Sequence, residues 1–291
     1  MTILFVDLEH DHLQNDPTLW ELSRARLMQI KYRLEEISGD PCLIIRYDQI
    51  TPDRVSELTP RALAVSGCYS DYIHYDPASL AGLRAVFKQV TTPIIGFCAG
   101  MQLMAETYGA KLAPIGFLAP GEPDPTAEGN FPAHVPGMIQ ERGFLPIEIC
   151  APEHPLVAGL PTTPIVFQAH YWELKNLPEG FQTLAYSPTT PIQIIAHRTL
   201  PLFGTQFHTE QYDDENPDGR KILENFFKHA IMSFRGAERR GIPDVVSIPL
   251  TMPVFFAFTK PRWVCLRWFD YGFLYPDLPA PTFRAAWARA P

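Results

Sequence analysis

The sequence has no excess of positive charge, no paired cysteines and no long apolar run. Lys and Arg number 24 against 32 Asp and Glu, a net charge of −8 over 291 residues, so the electrostatic footprint of a nucleic-acid binder is missing. Five cysteines (42, 68, 98, 150, 265) are scattered, odd in number and without a CxxC pair. This argues against a disulfide framework or a zinc site and for reduced thiols in a cytoplasmic setting. The longest apolar stretches fall short of the roughly 18 to 20 residues that span a bilayer, so no membrane span is expected. The opening run Ile3–Leu8 has no basic residues before it and is too short for a signal peptide, so it reads as a buried strand.

What is present is an alternation of strand and helix patterns. Strands are expected at Ile3–Leu8, Cys42–Tyr47, Ala62–Ser66 and Pro93–Phe97. Helices are expected from Asp16-Pro17 to Ser38, over Thr51–Leu58 and over Pro77–Val90, the first with Asp16 as N-cap and Pro17 at the first helical position. This spacing implies βαβ units: an α/β fold with a doubly wound, mostly parallel sheet flanked by helices. Ligands of such sheets bind at the carboxyl ends of the strands, the edge that collects Gly67-Cys68, Cys98 and the acidic-histidine end of the first strand, Glu9-His10. Pro114–Pro136 reads as a long loop, a lid or an insertion. Further strands are expected at Phe144–Cys150, Ile165–Gln168, Phe181–Tyr186, Ile192–Ala196 and Leu202–Phe207, the second half of the sheet with an antiparallel edge, and a closing helix at Pro217–Phe234.

Chemistry concentrates in two places. Pro93-Ile-Ile-Gly-Phe-Cys-Ala-Gly-Met-Gln102 is an apolar run ending in Gly-x-Cys-x-Gly ahead of a helical pattern. A strand turning sharply into a helix places Cys98 on a strained corner, with its sulfur near a helix N-terminus that favours the thiolate. The plain alternative is a small buried cysteine between two ordinary glycines. Later, Gln206-Phe-His-Thr-Glu210 ends a strand. On an extended segment His208 and Glu210 point to the same side, and a carboxylate beside an imidazole fixes its tautomer. Cysteine, histidine and carboxylate are the parts of a nucleophilic acyl-transfer site if the fold joins the two strand ends. His10 and His12 read as solvated loop histidines.

Together these segments resemble the class I glutamine amidotransferases, in Gly96, Cys98, Gly100 and Gln102, in Gln206–Glu210, in Glu141-Arg142-Gly143 and in Gln168-Ala169-His170 with the segments that follow. The resemblance covers about residues 1 to 233. It implies the flavodoxin-like fold of that family, with no cofactor and no metal. It also implies roles: Cys98 as nucleophile, His208 as proton carrier, Glu210 as its orienting group, and the backbone of Ala99 with Gly67 or Cys68 as oxyanion donors. Gln102 and the backbone near His170, Tyr171 and Trp172 would hold the amino-acid end of the substrate. That substrate would be L-glutamine, its ammonia passing to a separate synthase, since no ATP-binding P-loop follows. The alternatives are a γ-glutamyl hydrolase acting on another γ-glutamyl compound and a non-catalytic binding module. Thr209 stands where the family commonly has Pro, and Cys68 where it has a small residue. Cys68 either packs beside the nucleophile or forms a redox off-switch with it.

Residues 1–234 are read as one domain and 235–291 as an extension. The extension holds 11 aromatic residues and 8 prolines, with eight Lys/Arg against four Asp/Glu. Arg262-Trp263 and Arg267-Trp268-Phe269 are its candidate docking residues. Cutting the chain after Phe234 is expected to leave glutaminase chemistry intact.

Overall fold

A computed structural model describes residues 1–124 and 135–238. The tail's proposed docking residues, and the centre of the expected 114–136 loop, lie outside the described residues. Strand β1 (Ile3–Asp7) is buried at all five positions, as a central strand of a parallel sheet must be. Helix α1 (Pro17–Ser38) starts where the sequence places it: the Asp16 carboxylate accepts from the Leu19 N–H, Pro17 follows, and Gly39 closes the helix at φ 72°. Then come β2 (Cys42–Arg46), α2 (Pro52–Leu58, capped by Thr51), β3 (Ala62–Val65) and α3 (Ala81–Gln89). Next are β4 (Ile94–Phe97) and α4 (Ala99–Thr107).

The second half supplies β5 (Leu112–Pro114), β6 (Glu141–Pro146), β7 (Glu148–Ile149), β8 (Ile165–His170) and β9 (Trp172–Leu174). β10 (Phe181–Tyr186), β11 (Ile194–His197), β12 (Leu202–Thr205) and α5 (Asp218–Glu238) complete it. Eight strands form one sheet in the order β2-β1-β3-β4-β12-β11-β10-β7. The pairs from β2 to β12 are parallel, and β12/β11, β11/β10 and β10/β7 are antiparallel. The sheet is therefore mixed, with its antiparallel part confined to one side.

Both faces of the sheet are covered. α1 and α5 pack Ile30, Leu34, Ile222, Leu223 and Phe226 on one side, around Phe5, Phe97 and Phe207. On the other, α2, α3 and α4 pack Val55, Leu83, Val86, Met101 and Met104 against Leu4, Val6, Leu63 and Val65.

Three departures from the sequence reading have local causes. The expected strand Phe144–Cys150 is two strands, β6 and β7, because β6 leaves the main sheet to pair with β8 from Glu141↔His170 to Pro146↔Ile165. β5 and β9, which pair Leu112↔Leu174, are too short to leave a periodic signal. α5 runs past its expected end at Phe234 to Glu238. Among the described residues no helix is long and apolar enough to cross a membrane.

Candidate active site

β4 and β12 lie side by side, with Phe97 opposite Thr205 and the Cys98 N–H bonded to the Thr205 carbonyl at 2.8 Å. The chain then turns hard. Cys98 has φ 47° and ψ −109°, a conformation that costs a non-glycine residue on the order of 1–3 kcal/mol. It is one of two non-glycine residues at positive φ in the described chain, with Thr59, and it caps the N-terminus of α4. Glycines make the turn possible. A Cβ on Gly96 would sit 2.6 Å from the Gly100 carbonyl carbon and the Met101 nitrogen, and one on Gly100 would sit 2.5 Å from the Val65 carbonyl oxygen. These contacts are with backbone, so they have no side-chain escape.

His208 comes to the same corner. Its backbone N–H bonds to the Phe167 carbonyl at 2.9 Å, and its Nδ1 lies 2.7 Å from Glu210 Oε1. The segment is a turn, closed by Gln211 N–H on the His208 carbonyl at 3.0 Å, and the extended conformation expected from sequence stops at Thr205. Burial pushes the His208 imidazolium toward losing its proton. The Glu210 carboxylate and the Cys98 thiol outweigh that and raise its pKa to about 10. Glu210 is 1 % exposed, and its Oε2 has no hydrogen-bond partner among the described residues. Arg33 donates to the Glu210 backbone carbonyl from α1.

Cys98, His208 and Glu210 line one cavity of about 120 Å³ together with Gly67, Cys68, Ala99, Gln102, His170, Tyr171 and Trp172. The structure thus gathers every residue to which the sequence gives a catalytic, oxyanion or substrate-holding role, but some are already occupied. The Gln102 amide nitrogen donates to the Trp172 carbonyl (3.0 Å) and to Gln206 Oε1 (3.1 Å). It braces the wall of the cavity and has no N–H left for a substrate. The Tyr171 carbonyl accepts from Ile115 N–H, and the Trp172 carbonyl also faces His170 Nδ1 at 3.0 Å. The other ring nitrogen of His170 lies 2.9 Å from Glu141 Oε2, inside a buried network with Ser187 and Gln193. Burial alone would raise the Glu141 carboxyl, but these bonds hold it below the ordinary carboxylate range. By contrast, among the described residues no acceptor takes the N–H of Gly67, Cys68 or Ala99.

Cys68 is a free thiol whose S–H points to the Ser70 carbonyl at 3.3 Å. Burial and the nearby Glu9 carboxylate push it well above the ordinary thiol range, which disfavours the thiolate. His12 stacks on His74 with centroids 3.8 Å apart, His10 packs against Tyr75, and neither lines the cavity.

Among the lining residues to which the sequence gives no site role are Glu9, Arg26, Tyr69 and Arg142. Glu9 carried a faint signal as an acid at the carboxyl end of β1. Arg26 falls in step with Leu19, Leu22 and Ile30 along α1, a spacing that marks it as no more than a stem on the helix's apolar stripe. Its guanidinium lies 5.3 Å from the Tyr69 ring centre, and the Tyr69 hydroxyl is buried with no hydrogen-bond partner among the described residues.

The family model described as Glutamine amidotransferase class-I matches residues 29–230. The chain is 33% identical over 142 residues to a subunit of the glutamine-hydrolyzing GMP synthase of Pyrococcus abyssi, covering 49% of this chain and 62% of that protein. It is 33% identical over 176 residues to the corresponding Pyrococcus furiosus protein, covering 60% and 79%. Against the glutamine-hydrolyzing GMP synthase of Campylobacter jejuni strain RM1221 it is 32% identical over 195 residues, 63% of this chain and 32% of that protein. A solved structure from Thermoplasma acidophilum, described as one subunit of a GMP synthase, superposes with a TM-score of 0.59 at 23% identity. That superposition covers 82% of this chain and 98% of the other, a likeness of fold.

Proposed function

Because the chain belongs to the class I glutamine amidotransferases, we propose that it is a glutamine-type amide hydrolase, releasing ammonia from L-glutamine through a cysteine γ-glutamyl thioester. The observation that carries this reading is the meeting of a strained, helix-capping Cys98 with the His208–Glu210 pair on one cavity. The Cys98 thiolate attacks the side-chain amide carbon, and the oxyanion takes hydrogen bonds from the Ala99 N–H and from Gly67 or Cys68. The His208 imidazolium gives its proton to the departing nitrogen as the C–N bond breaks, so ammonia leaves and a thioester remains. Water then attacks the thioester, passes a proton to His208, and expels the Cys98 thiolate with glutamate as product. Glu210 holds the imidazole in the tautomer this cycle needs.

The relatives named as subunits of GMP synthase support passage of the ammonia to a separate synthase chain. A second reading, a γ-glutamyl hydrolase, draws support from Arg26 and Arg142 on the cavity wall with the Tyr69 hydroxyl. Two guanidinium groups suit a γ-glutamyl amide whose leaving amine carries a carboxylate of its own. A non-catalytic binding module fits poorly, since nothing in binding alone requires Cys98 to hold a costly backbone conformation.

The test is release of ammonia and glutamate from L-glutamine by the purified chain, with Cys98→Ala as control. Cys98-dependent release supports the first reading. No release, together with no labelling of Cys98 by a glutamine-analogue electrophile, refutes it. Faster turnover of a carboxylate-bearing γ-glutamyl amide than of glutamine, lost selectively in Arg26→Ala, selects the second.

A further inference from the structure

The loop that follows β3 carries two N–H groups on the cavity wall that no acceptor takes among the described residues, on Gly67 and Cys68. A loop of this kind holds two backbone donors in place only if something else fixes its conformation. Here the fixing group is a carboxylate from another strand. Glu9, 2 % exposed, lies two residues beyond the end of β1. Its Oε2 accepts from the Tyr69 N–H at 2.8 Å. Its Oε1 accepts from the Ser70 N–H at 3.0 Å and from the Ser70 hydroxyl at 2.6 Å. A fourth bond, from the His10 N–H at 3.2 Å, ties the same oxygen back to its own segment.

The neighbouring bonds work to the same end. Ser66 Oγ accepts from the Leu8 N–H at 2.8 Å, and the Tyr75 hydroxyl donates to the Leu8 carbonyl at 2.6 Å. The Tyr72 hydroxyl donates to the Ala99 carbonyl at 2.9 Å, joining the loop to the first residue of α4. The loop is thus stitched to β1 on one side and to the nucleophile's helix on the other, entirely by groups of this chain. Glu9 is the centre of that stitching, because both of its oxygens are engaged and three of its four bonds go to the loop. Charge-assisted bonds from backbone N–H groups to a buried carboxylate are about twice as strong as neutral ones. Although Glu9 lines the cavity, its oxygens are already satisfied, so it acts on the reaction through the loop.

We propose that Glu9 is a positioning residue that clamps residues 67–70 so that Gly67 and Cys68 keep their N–H groups available as oxyanion donors, and that hydrolysis therefore needs no second chain to order the site. The proposal rests on the amide hydrolase reading above and adds to it how the site is held.

The test uses the full chain alone, with Glu9→Ala and the near-isosteric Glu9→Gln. Removing one complete oxyanion donor costs roughly 100- to 1,000-fold in kcat, so loosening the loop is expected to cost about 10- to 100-fold in Glu9→Ala. KM for glutamine should stay within about twofold, and alkylation of Cys98 by iodoacetamide should keep its wild-type rate, because neither depends on those donors. Glu9→Gln keeps one acceptor oxygen and should recover part of kcat. A merely structural role would lower kcat, alkylation and melting temperature together, and that pattern overturns the proposal. If Glu9→Ala does not fold, Glu9→Gln decides: reduced kcat at wild-type melting temperature supports the clamp, and unchanged kcat refutes it. A wild-type chain whose Cys98 is labelled by the glutamine-analogue electrophile but which releases no ammonia alone refutes the clamp and spares the hydrolase reading. A chain that does neither defeats that reading itself.

Discussion

Gly67→Ala isolates the geometry of the site from the stability of the fold. An ideal Cβ at position 67 would lie 2.8 Å from His208 Cε1 and 3.3 Å from Cys98 Cβ. Carbon atoms pack at about 3.5–4.0 Å, so the imidazole would have to retreat by several tenths of an ångström to about 1 Å. His208 cannot simply rotate away, because Nδ1 is held by Glu210 and its backbone by Phe167. The added methyl therefore opens the Cys98–His208 contact or breaks the His208–Glu210 bond. A misplacement of about 1 Å in a catalytic group costs on the order of 100-fold in rate. Gly67 is not at positive φ, so alanine adopts its backbone without strain and the fold should melt within a few degrees of the wild type. The assay is glutamate release measured beside thermal unfolding. A variant that keeps more than half of the wild-type kcat at an unchanged melting temperature would refute the cramped triad geometry.

Further outcomes concern the His208–Glu210 pair, Cys68 and the α5 core. His208 keeps its proton up to a pKa of about 10, so the step that protonates the leaving nitrogen should fail as pH rises through that value. In Glu210→Gln the main cause of the upward shift is gone, burial then dominates, and the alkaline limb of kcat/KM should move to lower pH. The linkage has the matching sign: stabilisation from the His208–Glu210 pair is full below the ordinary histidine value of 6.5 and is lost between there and about 10. Because the Cys68 thiol is held protonated, mild peroxide followed by mass mapping should modify Cys98 and yield no Cys68–Cys98 peptide; finding that peptide would restore the redox switch. Phe226 on α5 is fully buried, with its ring 5.8 Å from Phe203 and 5.1 Å from Phe227, so Phe226→Ala should cost about 3–5 kcal/mol in urea unfolding.

The first half of the fold was legible because its signals are local. Asp16-Pro17 caps a helix wherever it folds, and Ile3–Asp7 or Ile94–Phe97 are apolar enough to be central strands in any α/β sheet. The elbow was legible for the same reason: glycines at 96 and 100 bracket Cys98 within five residues. The second half depends on pairing between distant segments. That β6 leaves the sheet to pair with β8 follows from a register across about 25 residues, which no periodicity in Phe144–Cys150 reveals. Among site residues the difference is again one of reach. His208 and Glu210 were found from their spacing, although a turn and not an extended strand brings them together. The sequence assigns Gln102 to the substrate, yet its amide nitrogen is spent on Trp172 and Gln206, partners 70 and 104 positions away. Glu9 and Arg26 stand in ordinary company along the chain, and only the fold shows what they face.

The nucleophile and its proton carrier are 110 positions apart, and one strand pairing joins them. The parallel register Phe97↔Thr205 sets the Cys98 N–H on the Thr205 carbonyl and leaves the chain three residues to reach His208. That distance works only because Gly204 lets Met101 of α4 lie directly on β12: a Cβ there would come within 2.6 Å of Met101 Cγ. Gly96, Gly100 and Gly204 thus press strand, helix and strand together around one strained residue. A larger side chain at any of them would have to part α4 from β4, β3 or β12 before it fitted, and each such movement shifts Cys98 relative to His208. Long-range pairing fixes which residues meet, and these three close approaches fix the distance at which they do.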